Sequence, residues 1–466
     1  MVFSPLRSSV MSSRQALSDD HRDWITHGEL SEAVNIAVNT MIFDGKALVL
    51  IKSRNTIPSV TAYVGAIAAG HALLLVDNRA PDKLWNACIR EYRPDIILSE
   101  DDSVLSSDYS KVEGSDGLSM WRRKKVDQVS PSPELALVLL TSGTTGVPRG
   151  VRLSHQNLTF NTKGVISVLG IGENDCAIAH LAIAYSFGLS VVNSHLHAGG
   201  SVALTEEPLT SSAFWMRCRQ SECTSFSGVP FHYKLINQLD LTSLSVPKIT
   251  TMVQAGGRLE PELIERHHHA MAERGGKFFV MYGQTEASPR MTTLDPKFLP
   301  EKLGSVGNAL PGCSLSISSC LPNVEGEVEF SGSNVMMGYA EGRDDLAQGS
   351  IMGGQLSTGD LGYLDEDGFL YLTGRLKRIA KPYGRRISLD EVEASAEQFG
   401  AAAAFRRYDD NIIVYIEGLS VDVEKIHMTL ASVFGLPHAA LSIQKIDALP
   451  LTPTGKIDYN ELEGAQ

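Results

Sequence analysis

No run of apolar residues approaches the roughly 18 needed to cross a bilayer as a helix. The closest, residues 66–76, is broken by Gly70 and His71 and reads as a buried strand or helix edge. Cysteine is scarce as well: six in 466 residues, at positions 88, 176, 218, 223, 313 and 320, with no CxxC facing a second one. That spacing excludes a zinc knuckle and a disulfide scaffold, makes Cys218 and Cys223 packing or surface thiols, and fits a reducing, cytoplasmic compartment. Positive charge is in deficit. Lys and Arg number 41 against 54 Asp and Glu, a formal net charge of −13, which argues against a general nucleic-acid binder. There is no internal repeat, no long low-complexity segment, no G-x-x-x-x-G-K-[ST] loop and no G-x-G-x-x-G after a strand. P-loop and dinucleotide-binding folds are therefore unsupported. Residues 1–17 hold Arg7, Arg14, several Ser and no acid, but no amphipathic stripe or cleavage signal follows. Residues 1–20 read as a disordered tail rather than a transit peptide.

What is present is ordinary globular composition, 43% apolar with 41 Gly and 20 Pro, in a chain long enough for about two to four domains. Apolar runs at 47–51, 72–77, 95–99 and 135–140 predict buried strands, and 58–69 and 84–92 predict helices between them. This alternation points to parallel α/β layers. Residues 100–133 are rich in Ser and Asp, carry Trp121-Arg122-Arg123-Lys124-Lys125, and end in Pro131-Ser132-Pro133. They read as a surface loop with one short strand and a solvated basic face. From 325 the texture changes: 325–331 alternates, and Asp365-Glu366-Asp367-Gly368 is a hairpin turn between 362–364 and 369–371. An α+β pattern follows, with helices at 390–398 and 423–433 and a strand at 412–416. A boundary at Leu376–Lys377 gives a domain over 21–376 and a smaller one over 377–466. His267-His268-His269 falls in a predicted helix, where consecutive side chains diverge, so it reads as a solvated patch and not a metal site.

Five clusters carry chemistry. The first is Thr141-Ser142-Gly143-Thr144-Thr145-Gly146-Val147-Pro148-Arg149-Gly150, after a strand. Exposed backbone N–H groups, clustered hydroxyls and a cation suit a polyphosphate. The second, Tyr282-Gly283-Gln284-Thr285-Glu286, offers an aromatic for a base, a hydroxyl for a phosphate and a hard oxygen for Mg²⁺. The third, Ser357-Thr358-Gly359-Asp360, holds a carboxylate able to accept both hydroxyls of a ribose. Thr373-Gly374-Arg375 precedes the boundary, and Leu451-Thr452-Pro453-Thr454-Gly455-Lys456-Ile457-Asp458 sets a lysine on a Gly/Pro/Thr loop.

In this order, from about residue 42 to 459, the motifs resemble the adenylate-forming superfamily: acyl- and aryl-CoA synthetases, peptide synthetase adenylation domains and beetle luciferases. The resemblance implies an α/β fold: a large N-terminal domain of layered sheets plus a small β-barrel, and a small mobile α+β C-terminal lid. It implies a two-step reaction, in which a carboxylate and ATP give acyl-AMP and pyrophosphate, and a thiol or amine then takes the acyl group. Carried over residue by residue, Thr141, Ser142, Gly143, Thr144, Thr145, Gly146 and Arg149 would hold the β,γ-phosphates. Thr285 would bond the α-phosphate, Glu286 would hold Mg²⁺, Gly256, Gly257 and Tyr282 would wall the adenine site, and Gly283 would belong to the nucleotide site. Asp360 and Arg375 would bind the ribose, Lys456 would bridge the carboxylate and the α-phosphate, and Lys377 would be the hinge.

The sequence also departs from the family pattern. The loop lysine is Arg149, cationic but with a fork geometry, and the residue after the hinge, usually acidic, is Arg378. Ala184-Tyr185-Ser186-Phe187-Gly188 lacks the His common in CoA synthetases and the Asp with which amino-acid-activating domains hold an ammonium. The implied acyl pocket, Tyr185, Ser186, Phe226, Ser227, Gly228, Val229, Pro230, Gln254, Ala255 and Gln284, contains no charge and favours a neutral or apolar acyl body. The expected activity is an ATP- and Mg²⁺-dependent acid–thiol ligase acting on a small carboxylic acid. Its acceptor is CoA first, with the phosphopantetheine of a free acyl or peptidyl carrier protein, or an amine, as rival. A non-catalytic nucleotide-binding module is disfavoured by the presence of Lys456, Glu286 and Asp360.

Overall fold

Runs of four to six apolar residues bury both faces of a strand, and sheets built from them need helices on both sides. The computed structural model describes residues 12–101, 107–115, 117–141, 149–239, 248–319, 321–385, 387–407, 411–418, 420–452 and 457–464. The chain divides into two compact units, residues 1–314 with 331–356, and residues 315–330 with 357–466.

The first unit contains two sheets. The eight-stranded sheet has Leu48–Ser53 near its centre, hydrogen-bonded in parallel to Ala72–Asp77 and Ile96–Ser99. β1 (Leu135–Thr141) continues it in parallel, and β2 (Arg149–Ser154) turns back antiparallel. Neighbouring residues go to opposite cores: Val49, Ile51, Leu73 and Leu75 to one, Leu48, Leu50, Leu74 and Val76 to the other. Helix Ile57–Ala68 starts at Thr56, whose hydroxyl accepts from the Ser59 amide, with Pro58 in the first turn. Helix Asp82–Tyr92 ends at Arg93, which adopts a left-handed conformation.

The edge of this sheet corrects one expectation. Residues 109–123 form a hairpin of two paired strands, Tyr109–Ser115 and Leu118–Arg123, rather than a loop with one strand. Leu118, Met120 and Trp121 are buried, and Arg123 pairs with Asp127 at 2.7 Å. The surrounding Ser, Asp and Gly hide that alternation in the sequence.

The nine-stranded sheet includes β3 (Ser225–Gly228), β4 (Thr251–Gln254) and β5 (Lys277–Tyr282), all parallel. Three helices flank this region: α1 (His155–Leu169), α2 (Ser186–Ala198) and α3 (Pro230–Leu239). Leu169, Phe187, Val191, Val253, Phe279 and Met281 share one apolar cluster. The other face is an aromatic layer in which Tyr233 meets Phe226 and Phe278 edge-on. His267 joins that layer. It is buried, stacked on Phe278 with ring centroids 5.8 Å apart, and bonded through Nε2 to the Tyr233 carbonyl oxygen. The triple-histidine run is therefore not wholly solvated, because one side of its helix, Pro261–Ala272, faces the sheet.

In the second unit, where the resemblance implies a small barrel, the strands Ser314–Ile317, Gly326–Ser331, Gln355–Leu364 and Leu370–Arg375 form a four-stranded sheet. The expected turn closes its last hairpin. Tyr363 pairs with Tyr371, the Asp365 carboxylate accepts from the Phe369 amide at 2.8 Å, and Gly368 takes φ +80°. A three-stranded sheet, Ala402–Arg406, Ile412–Glu417 and Leu441–Ile446, carries helices Leu389–Ala396 and Val423–Phe434. Lys377 lies in a short 3-10 turn, Leu376–Arg378, directly after strand Leu370–Arg375. Among the described residues no helix is long and apolar enough to cross a membrane.

Candidate active site

The hydroxyl-rich motif begins where two antiparallel strands diverge. Thr141, the last residue of β1, is in register with Arg149, the first of β2, and its Oγ1 donates to the Arg149 carbonyl at 3.4 Å. The hairpin thus presents the two ends of the motif side by side. Ser142, Gly143, Thr144, Thr145 and Gly146 lie outside the described residues, as does Lys456.

Arg149 sits in a stack that the sequence did not reveal. A short strand, β6 (Gly338–Ala340), pairs with β2 and sets Tyr339 opposite Val151. The Arg149 guanidinium lies over the Tyr339 ring, 3.4 Å from its centroid, and the Tyr339 hydroxyl donates to Glu286 Oε1 at 2.9 Å. Burial, then the adjacent Glu286 charge, push the Tyr339 phenol well above its ordinary range, so it stays protonated and donates. The Arg149 Nε is buried without a hydrogen-bond partner. Such a donor at the mouth of a hydroxyl-rich loop fits a phosphate. Nothing in Gly-Tyr-Ala marks Tyr339 in advance, because its role depends on pairing with a strand nearly 190 positions earlier.

Thr285 and Glu286 occupy a short 3-10 turn after β5. Gly283 permits it, since a Cβ there would fall 1.8 Å from the Pro289 carbonyl oxygen. The turn is tied at several points. The Met336 amide donates to the Glu286 carbonyl at 2.8 Å, and the Asn334 side-chain amide to the Ala287 carbonyl at 2.8 Å. The Asn161 amide on α1 donates to the Arg290 carbonyl at 2.7 Å. Thr285 Oγ1 and Ser186 Oγ, at the start of α2, are 2.9 Å apart in a hydrogen bond. Gln284 is extended immediately before the turn, and Tyr282, half-buried at the end of β5, is in register with Thr292. Among the described residues no group of three or more metal-ligating side chains converges. A single Glu286 suits Mg²⁺, which keeps water and substrate phosphates as most of its ligands.

The expected acyl-pocket residues separate by strand alternation. Ser225 faces α2, where its hydroxyl meets His195 Nε2 at 3.0 Å, so Ser227 faces α2 too. Tyr185, Val229 and Ala255 belong to the cluster on that side. Phe226 points the other way, stacked on His180 at 5.0 Å and edge-on to Tyr233 at 5.8 Å. A Cβ on Gly228 would be 2.8 Å from the Phe226 ring. Phe226 and Gly228 therefore face the aromatic layer and do not join the others. The Gln254 side-chain amide donates to the Gly257 carbonyl at 2.8 Å, and Gly256 takes φ +83°. A Cβ on Gly257 would be 3.1 Å from Pro230 Cγ, so this turn closes directly over the start of α3.

None of these residues is charged, but one buried cation, Arg290, lies near Tyr185. Arg290 is 2% exposed, with its guanidinium 4.3 Å from the Phe187 ring centroid. Its Nε donates to Ser190 Oγ at 3.2 Å and its Nη1 to the Met281 sulfur at 2.9 Å. Burial lowers its pKa to about 9, partly opposed by Tyr185 and Tyr233. Burial raises the Tyr185 phenol to about 12.

In the second unit, Asp360 and Arg375 are register partners, with Arg375 Nε 3.1 Å from the Asp360 carboxylate. Gly359 takes φ +72° and donates its N–H to Glu327 Oε1 at 3.0 Å. Arg378 is held within the unit by Asp390, by Glu393 at 2.7 Å and by the Tyr459 ring at 4.4 Å. It replaces the family's acidic residue with a structural cation.

Comparison with known proteins adds an independent finding. A model of the family described as AMP-binding enzyme matches residues 8–340. A 2-succinylbenzoate–CoA ligase of Bacillus cereus is 30% identical over 348 residues, covering 72% of this chain and 69% of its own. A probable CoA ligase, CCL9, of Humulus lupulus is 26% identical over 97% of this chain and 93% of its own length. The structure of o-succinylbenzoate CoA synthetase from Bacillus subtilis, solved with the acyl-adenylate OSB-AMP, shares the fold. It superposes with a TM-score of 0.77 at 24% identity, covering 97% of this chain and 96% of that one.

Proposed function

The chain belongs to the AMP-binding enzyme family, and from that premise we propose that it is an ATP-dependent acid–thiol ligase. It activates a small carboxylic acid as acyl-AMP and passes the acyl group to CoA. The observation that carries this reading is the stack of Arg149, Tyr339 and Glu286 beside Thr285. One cation, one carboxylate and one hydroxyl are held together beside the strand that follows the hydroxyl-rich motif.

In the first step a carboxylate oxygen bonds to the α-phosphorus while the bond to the leaving pyrophosphate breaks. Negative charge grows on the α-phosphate and the leaving group, and preorganised donors lower that barrier. Thr285 hydrogen-bonds the α-phosphate, with Ser186 fixing the direction of its hydroxyl. Arg149 Nε donates to the pyrophosphate oxygens. Glu286, oriented by Tyr339, is the carboxylate for Mg²⁺, which when bound neutralises phosphate charge. Asp360 and Arg375 are proposed for the ribose, Lys456 for the charge between the carboxylate and the α-phosphate, and Lys377 as the hinge. In the second step the CoA thiolate attacks the acyl carbon and AMP departs.

Support for CoA as acceptor comes from the CoA ligases among the relatives; a carrier-protein phosphopantetheine is the alternative. A cytoplasmic location is proposed on the free thiols Cys88, Cys176, Cys218 and Cys223, all buried. The test is ATP–pyrophosphate exchange over a panel of carboxylic acids, followed by transfer to CoA or to a loaded carrier protein. Acid-dependent exchange and acyl-CoA formation are expected. Nucleotide binding without exchange for any acid would overturn the reading.

A further inference from the structure

Three arginines of the first unit are almost completely buried, and the structure treats them differently. Arg343 pairs with the Asp95 carboxylate at 2.9 Å and reaches the Val129 carbonyl. Arg152 is surrounded by the carbonyls of Tyr339, Gln348 and Gly349. Arg290 has neither: its hydrogen-bond partners are one serine hydroxyl and one thioether, with an aromatic ring against the guanidinium. Among the described residues no carboxylate pairs with it. A guanidinium keeps its proton and carries five donors in a planar fork. Burying that charge is unfavourable unless an anion completes it.

The position of Arg290 says which anion. Ser186 and Ser190 lie four apart on α2, on one face and about 6 Å apart along the axis. Ser186 bonds Thr285, the hydroxyl assigned to the α-phosphate, and Ser190 bonds Arg290. Arg290 is therefore held one helical turn along α2 from the hydroxyl assigned to the α-phosphate. Tyr185, the residue before α2 and one of the implied acyl-pocket residues, lies close enough to feel its charge.

We propose that Arg290 closes the acyl pocket and that the substrate is a dicarboxylic acid. One carboxylate forms the bond to AMP; the other stays ionised, paired with the Arg290 fork. This deepens the ligase reading and rests on it, and it replaces the neutral acyl body that the uncharged motif residues favour.

The test uses the full-length enzyme in acid-dependent pyrophosphate exchange. The acids are aliphatic and aromatic diacids, each beside its monomethyl ester and the monoacid of equal length. At least one diacid is expected to exceed its monoester in kcat/KM by about 10²-fold or more, short of the roughly 10⁴–10⁵ for an analogue that leaves a buried polar group wholly unpaired, because the ester keeps its carbonyl oxygen. Arg290→Met should abolish that ratio, and Arg290→Lys should restore part of it. Turnover of monoacids in preference to diacids by the wild type would overturn the proposal and leave the ligase reading intact. An unchanged diacid-to-monoester ratio in folded Arg290→Met would do the same. Exchange with no acid of any class would overturn both. If Arg290→Met does not fold, the wild-type ratio decides alone.

Discussion

Tyr339 donates a hydrogen bond to the Glu286 carboxylate at 2.9 Å across 53 positions of sequence. It aims the carboxylate assigned to Mg²⁺, and its ring carries the cation assigned to the phosphates. Removing only the hydroxyl separates the two roles. Tyr339→Phe keeps the ring under Arg149 and frees Glu286. A hydrogen bond to a charged group contributes about 1.5–3 kcal/mol. Titrating Mg²⁺ in the exchange assay should show the half-saturating concentration rising about tenfold or more, with KM for the acid unchanged. No shift would detach Glu286 from the metal.

Arg149 stands where the family pattern has lysine. Its guanidinium lies over the Tyr339 ring and its Nε has no hydrogen-bond partner, which leaves a donor for the nucleotide phosphates proposed above. Arg149→Ala should raise KM for ATP about tenfold or more, on the scale of one charge-assisted hydrogen bond. Arg149→Lys should keep much of the activity, because a point charge still reaches a phosphate. Initial rates over a range of ATP check both. An unchanged KM in Arg149→Ala would confine the residue to holding the β1–β2 hairpin beside β6.

Much of this arrangement is legible in the sequence. The strands around residues 50 and 75 and the 363–371 hairpin announce themselves through apolar runs and turn chemistry. The five motifs place Thr285, Glu286, Asp360 and Arg375 in order. What the sequence hides is direction. In a four-residue strand buried on both faces, such as β3, apolar residues occupy either side, so Phe226 and Ser227 look equivalent although they face opposite layers. Long-range pairing is equally silent. Tyr339 acquires its role only through register with β2. Arg290 resembles an ordinary polar loop residue until Ser190, Phe187 and Met281 close around it.

Lys377 sits within the 3-10 turn Leu376–Arg378, a class of turn whose typical φ a proline ring can also adopt. Lys377→Pro should therefore leave the second unit folded, with modest strain at Leu376, because a residue before proline disfavours helical backbone. It should also block the φ change that a hinge needs. One half-reaction is expected to survive and the other to fall by at least about tenfold, a barrier increase of about 1.4 kcal/mol. Circular dichroism establishes folding, and the two steps are assayed separately, as pyrophosphate exchange and as thioester formation from supplied acyl-AMP. Full retention of both would show that no backbone rotation at this residue is required.

Gly283 offers a test of how far the site depends on backbone approach rather than on side chains. It carries no reactive group, yet a Cβ at this position would sit 1.8 Å from the Pro289 carbonyl oxygen and 3.0 Å from the Arg290 Cα. Neither neighbour is a side chain that can rotate away. Relief would have to come from moving the 287–290 segment, which Asn161 and Asn334 hold through the Ala287 and Arg290 carbonyls. Overpacking of this kind costs about 1–3 kcal/mol, occasionally more. Gly283→Ala should lower the stability of the protein by that amount in urea unfolding, with the slope unchanged. The same displacement would carry Thr285 and Glu286 away from Ser186 and Tyr339, so exchange activity should fall about 10²-fold, as for a small misplacement of positioned groups. Arg290 hangs from the moved segment, so discrimination between diacids and their monoesters should narrow as well. A variant that loses stability but keeps both its exchange rate and that discrimination would show that the turn tolerates movement, and that the catalytic hydroxyl and carboxylate are positioned by something other than the close packing at Gly283.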